Sequence, residues 1–171
     1  MPITLHAATV PSMLQVLGAG KGWLDKASAS DHAEDVLHGA CIVEGMLPFA
    51  YQVKSMAVHS AGAIEGVRAG MFHPDMAEPP ADFAGLHARL DEAIATLSDV
   101  TEDEMESFIG RDMRFEIPGR DFGYDFVAED FLLSFSQPNF YFHATTAYDI
   151  LRMRGLNIGK RDFLMGLRVR S

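Results

Sequence analysis

His59 and His143 are the side chains of this sequence best placed to do chemistry. Neutral imidazole is both a common metal ligand and a hydrogen-bond partner whose charge changes near neutral pH. A catalytic zinc takes three protein ligands plus water, and here the set stops at two. One turn beyond His143 stands Ala147, where a third donor would have to be, and one turn before it stands Asn139; no His-x-x-x-His pair exists. The repeated Glu-x-x-His pattern of di-iron bundles is also missing. Asp35-Val36-Leu37-His38 supplies one carboxylate–histidine pair at that spacing and no second. His6, His32, His38, His73 and His87 read as surface groups.

Polar residues surround the pair in sequence. Gln52, His59, Asn139, Tyr141, His143, Thr146 and Tyr148 make a candidate small-molecule pocket, since such sites set a few polar groups in an apolar frame. Asn139 and the threonines serve equally well to cap carbonyls freed near Pro138. The ordinary reading of His143 is a buried imidazole hydrogen-bonded to a neighbour; that of His59 is a half-buried surface histidine. A carboxylate such as Asp25, brought in from another helix, could complete a metal site, whereas helical phase turns Glu65 away from it. Cys41 has no activating base in sequence and reads as an inert buried thiol. Gly18-Ala19-Gly20-Lys21 lacks the strand and the spacing of a phosphate loop.

Helices must position these groups. Val10, Met13, Leu17 and Leu24 predict a first helix over 4–28, started or bent near Pro11. Met46, Phe49, Val53, Met56, Ser60, Ala63 and Val67 predict a second, closed by Gly70 and Pro74; Phe83, Leu86, Leu90, Ile94 and Leu97 predict a third. Thr101-Glu102-Asp103-Glu104 has the form of a capping box opening a short helix. The period then falls to two. Met113, Phe115 and Ile117, then Phe122, Tyr124 and Phe126, alternate with polar residues around Pro118-Gly119, which suits a type II turn. That predicts a β-hairpin with one apolar face, packed on the helices or on a second subunit. A last helix runs over 129–154 with Gly155 just past its end, and Pro138 inside it predicts a kink. On this helix His143 points to the core; on the second, His59 lies at the edge of the buried face.

The architecture expected is all-α, a four-helix bundle with a small β-hairpin inserted before the last helix, in one domain over 1–171. Composition narrows the function. A net charge of −10 repels a phosphate backbone, so nucleic acid is not an expected partner. No apolar run reaches the ~20 residues of a membrane helix. The sequence opens without the basic start and apolar run of a signal peptide, and one cysteine allows no internal disulfide; both fit a cytoplasmic protein. The one basic cluster (Arg152, Arg154, Lys160, Arg161, Arg168, Arg170) is explained first by favourable interaction with a helix C-terminus.

Leu47-Pro48-Phe49-Ala50-Tyr51-Gln52-Val53, the stretch from Pro138-Asn139-Phe140-Tyr141-Phe142-His143 to Arg152, and Gly159-Lys160-Arg161-Asp162-Phe163-Leu164 together resemble a bacterial domain family of unknown function, similar in turn to the DinB/YfiT-like superfamily. The resemblance covers nearly the whole chain. It implies a DinB-like four-helix bundle, up-down-down-up and commonly dimeric. In metal-binding members one histidine of the second helix and two of the last, four apart, hold the ion. His59 and His143 would stand for the first two, with Ala147 in place of the remaining one. The function expected is therefore a small-molecule-binding or dimeric interaction module with an incomplete metal site and no cofactor. The alternative is a metal-dependent thiol-transferase or hydrolase using His59 and His143 with zinc or nickel. A purely structural dimer is a third reading. Expected partners are a second copy of the chain and a small molecule, without membrane.

Overall fold

In the computed structural model, which describes residues 2–170, the chain is mostly helical with a small three-stranded sheet. Met1 and Ser171, the end residues of the domain expected over 1–171, lie outside the described residues. Helix α1 (Leu5–Ser28) is opened by Thr4, whose hydroxyl accepts the Ala7 N–H, and it continues through Pro11. A short α2 (Ala33–His38) follows. Then come α3 (Phe49–Val58) and α4 (Ala61–Ala69), closed by Gly70 at φ +75°, a left-handed conformation that glycine adopts without strain. Helix α5 (Phe83–Ser98) begins at Asp82, whose carboxylate caps the Gly85 N–H.

The apolar stripes read from the sequence meet in one core. Met13, Leu17 and Leu24 of α1, Phe49 and Met56 of α3, Ile64 of α4 and Leu86, Leu90 and Leu97 of α5 are all fully buried. Each such side chain contributes roughly 1.5–3 kcal/mol by leaving water. Helix α3 lies between α5 and the last long helix, α8 (Gln137–Met153), and α1 packs on α5.

Helix α6 (Glu102–Phe108) starts at Thr101, whose hydroxyl accepts the Glu104 N–H. Only that half of the expected capping box forms. The Glu104 carboxylate instead takes two hydrogen bonds from Arg68, at 2.7 and 3.0 Å, because a guanidinium fork is the stronger partner.

Strands β2 (Asp112–Glu116) and β3 (Gly123–Val127) pair antiparallel with Met113 opposite Phe126 and Phe115 opposite Tyr124. The Arg120 N–H closes a turn onto the Ile117 carbonyl, with Gly119 at φ +76° in the third position. A third strand that the sequence did not announce, β1 (Met71–Phe72), pairs parallel with β2. Two residues are too few to display a period. The apolar face packs inward through Phe115, 4.9 Å from Phe135, and through Phe126, 5.8 Å from Phe131.

Two helices are interrupted, the second where no break was expected and the last beside the kink expected at Pro138. The second breaks at His59 and Ser60, between α3 and α4; Ser60 sits at φ −116°, ψ −90°, and its hydroxyl donates to the Met56 carbonyl at 2.7 Å. A hydroxyl competing for the carbonyl four residues back is a known cause of helix bending. The last helix runs as α7 (Ala128–Asp130), a π-helical turn (Phe131–Ser136) and α8 (Gln137–Met153). The disturbance expected from Pro138 thus takes the form of a widened turn directly before it. Widening draws the preceding carbonyls away from the proline ring, and the Gln137 N–H reaches five residues back to Leu132. Gly155, φ +82°, and Leu156 close α8 through bonds to Arg152 and Leu151. A final short helix, α9 (Lys160–Phe163), lies against α1.

Candidate functional site

The two interruptions face one another, and the histidines sit where they meet. Ser136, buried at the end of the π turn, donates its hydroxyl to the His59 carbonyl at 2.7 Å. The His59 and His143 rings lie nearly parallel, 16° apart in plane, with centroids 5.4 Å apart. Phe72 and Phe135 flank His59 at 5.6 and 5.8 Å. Tyr51 and Phe142 flank His143 at 6.2 and 5.3 Å, and Phe142 is 55% exposed. Both imidazoles are half-buried, so His143 stands nearer the surface than its core-facing phase suggests.

Gln52 fixes the chemistry of His143. Its amide nitrogen donates to the Leu47 carbonyl at 2.8 Å, which turns its oxygen toward His143 Nδ1 at 2.7 Å. An amide oxygen only accepts, so Nδ1 carries the proton and Nε2 is left with a free lone pair. Burial pushes the His143 pKa down to about 4. His59 is likewise held at about 4, first by burial and then by repulsion from a charged His143. At neutral pH the pair is therefore two uncharged imidazoles. His59 Nδ1 is buried without a hydrogen-bond partner, which costs about 1–3 kcal/mol whichever nitrogen holds the proton.

A metal ion fits this set incompletely. Centroids 5.4 Å apart lie inside the ~6 Å beyond which two imidazoles cannot share an ion at Zn–N bonds near 2.1 Å. The third donor is missing. Ala147 is fully buried, and among the described residues no group of three His, Cys, Asp or Glu side chains could hold an ion. Asp25, the carboxylate considered for that place, instead reaches His87 Nε2 at 3.1 Å, and Glu65 bonds Arg68 at 2.5 Å.

The remaining candidates separate. Asn139 donates to the Phe135 carbonyl at 2.7 Å and Thr146 to the Phe142 carbonyl at 2.8 Å, so both spend their polar groups on their own helix. Tyr148 packs on Trp23 and Phe163, and Tyr141 on Phe140. Of the seven pocket residues, Gln52, His59 and His143 form the cluster. Cys41 is half-buried rather than buried. The sequence reading passed over Tyr51, Phe72, Phe135 and Ser136 as site neighbours. Tyr51 sits beside Gln52 in the Leu47-Pro48-Phe49-Ala50-Tyr51-Gln52-Val53 motif, a usable signal; Ser136 had none. A cleft of about 480 Å³, lined by Ala61, Gly62, Glu65 and Arg89 among others, adjoins the site through Val58 and Phe72, although neither histidine lines it.

No helix among the described residues is long and apolar enough to cross a membrane. Among curated proteins none matches this chain. The crystal structure of a DinB family member protein from Shewanella denitrificans superposes on it with a TM-score of 0.78, covering 98% of this chain and 95% of that one at 22% identity. At that identity the likeness is one of fold. The model of the domain of unknown function DUF1993 matches residues 5–164, nearly the whole chain, and the protein belongs to that family.

Proposed function

We propose that this protein is a small-molecule-binding module built on a DinB-like four-helix bundle, with the His59–His143 pair as its recognition site. In this reading the bundle helices are α1, α3 with α4, α5, and α8 with its π turn; the strands β2 and β3 are a hairpin inserted ahead of the last of them. One observation carries the reading, the Leu47–Gln52–His143 chain of hydrogen bonds. It presents a fixed lone pair at Nε2 among aromatic rings, which suits an uncharged ligand offering an N–H or O–H. The unpartnered His59 Nδ1 supports it, because a ligand group can recover what that buried atom forfeits.

A thermal-shift screen of small metabolites on wild type, His143→Gln and Gln52→Leu tests the reading. A ligand at ~100 times its dissociation constant adds about 2.7 kcal/mol, and that stabilisation should vanish in His143→Gln and weaken in Gln52→Leu. A panel that raises the melting temperature of all three alike would place binding elsewhere.

The second reading is a metal-dependent thiol-transferase or hydrolase. The same Gln52 contact favours it, since metal-ligating histidines commonly donate their other ring N–H to a neighbouring oxygen. An ion would supply polarisation of the substrate. Metal content of protein purified without added metal separates the two. Well under one equivalent of zinc, nickel, iron or manganese supports the binding module; one equivalent lost in both His59→Ala and His143→Ala supports the enzyme. We also infer a homodimer, supported by Phe122 and Tyr124, which remain 45% and 52% exposed at the tip of the hairpin.

A further inference from the structure

Residues 152–170 carry six of the 14 Lys and Arg residues of the chain and only Asp162 of its 24 acids. Local partners, rather than the carbonyls of a helix C-terminus, account for two of the six. Arg152, in the last turn of α8, donates to the Ile158 carbonyl at 2.5 Å, and Arg154 lies 2.6 Å from Asp35. Lys160 and Arg161 stand on α9, and Arg168 lies beyond it. Among the described residues none of these three has a carboxylate within 4.0 Å. Cations of one sign gathered without partners form a local field that favours an anion, even on a chain acidic in sum.

An apolar surface adjoins this field. Lys160, Arg161, Leu164, Gly166 and Leu167 line an open surface hollow of about 430 Å³, within the ~300–1,000 Å³ typical of small-ligand sites. The segment forming its wall is folded back on α1 through bonds from Gln15 to the Leu164 carbonyl and from Arg168 to Ser12, each 3.4 Å long. Leu167 is 60% exposed and Val169 80% exposed. The hollow therefore offers leucine walls under a rim of two unpaired cations.

We propose that this hollow binds an amphiphilic anion, an alkyl chain ending in a phosphate or carboxylate. The chain lies on Leu164 and Leu167, and the head pairs with Lys160 and Arg161. The two halves of the site select together. A cationic amphiphile meets like charge, a neutral alkane leaves the rim unpaired, and inorganic phosphate gains nothing from the walls. The same chemistry is available from a free amphiphile or from an anionic lipid in a bilayer.

The chain contains its own reporter. Trp23, its single tryptophan, stacks on Phe163 at 5.3 Å and donates its ring N–H to the Asp162 carbonyl at 3.0 Å, so both partners belong to α9. Full-length protein is titrated with decyl phosphate below its micelle concentration while Trp23 emission is followed. Decyltrimethylammonium and inorganic phosphate serve as the other two probes. A saturable response to decyl phosphate alone is expected, weakened at least tenfold in Lys160→Glu/Arg161→Glu and also in Leu167→Gln, with unchanged thermal melts. An equal response to the ammonium amphiphile, or decyl phosphate binding that survives the double charge reversal, overturns the proposal, as does the absence of any response. Flotation with phosphatidylglycerol but not phosphatidylcholine vesicles, lost in the same double variant, assigns the anion to a bilayer; decyl phosphate binding without flotation assigns it to a free molecule.

Discussion

His59 and His143 refuse protons in the folded chain and accept them readily once unfolded. Both pKa values fall from an ordinary 6.5 to about 4. The unfolded state thus binds more protons across that interval, and stability is complete above pH 6.5 and declines as pH drops toward 4. The limiting slope is about 1.4 kcal/mol per pH unit for each group, and part-exposed His143 contributes less because water screens it. Urea midpoints measured at pH 7 and pH 5 should diverge more for wild type than for His59→Phe. Parallel loss in the two proteins would show that other groups govern the acid limb. The sequence displayed both histidines, since helical phase places each near the interior. It also offered Gln52 as a candidate. It could not display the Leu47 carbonyl that orients the Gln52 amide, because that contact depends on how the loop before α3 enters the helix.

Elements are where expectation and structure differ most. Periodic apolar residues located α1, α5 and the β2–β3 pair closely, because burial of a stripe is the largest local term available to an element, while the Thr101 cap located α6. The same stripe runs unbroken from Phe49 to Val67, yet the backbone breaks at His59 and Ser60. Side-chain burial continues across a bend, so the pattern of hydrophobicity is blind to it. Pro138 did announce trouble in the last helix, although its relief by widening rather than kinking depends on what the freed groups find. Ser136 links the two irregularities through the His59 carbonyl. Ser136→Ala should therefore cost about 1–3 kcal/mol, the range for a buried acceptor losing its donor, and should speed hydrogen exchange at both the Ser60 segment and the π turn. Faster exchange confined to the π turn would mean that the two interruptions are independent.

At the scale of the whole molecule, a mostly helical DUF1993 fold with a sheet against its last helix accounts for the aromatic path from the histidines to the surface. Phe135 touches both His59 and Phe115, and Phe115 stacks on Tyr124 at 6.2 Å. If a second copy covers the exposed end of that path, Phe122→Ser/Tyr124→Ser should convert a sedimenting dimer to monomer and leave the helical circular dichroism intact; a dimer that survives the change joins through another face. The cations between residues 152 and 170 have a different outcome. A chain acidic elsewhere and basic in this one stretch is complementary to itself in a head-to-tail sense, an arrangement that does not close on two copies. If that region attracts the acidic surface of another copy, sedimentation at low ionic strength should show larger species than near 0.1 M salt, where the reach of the charges shortens to about 10 Å; an unchanged profile would exclude such contacts.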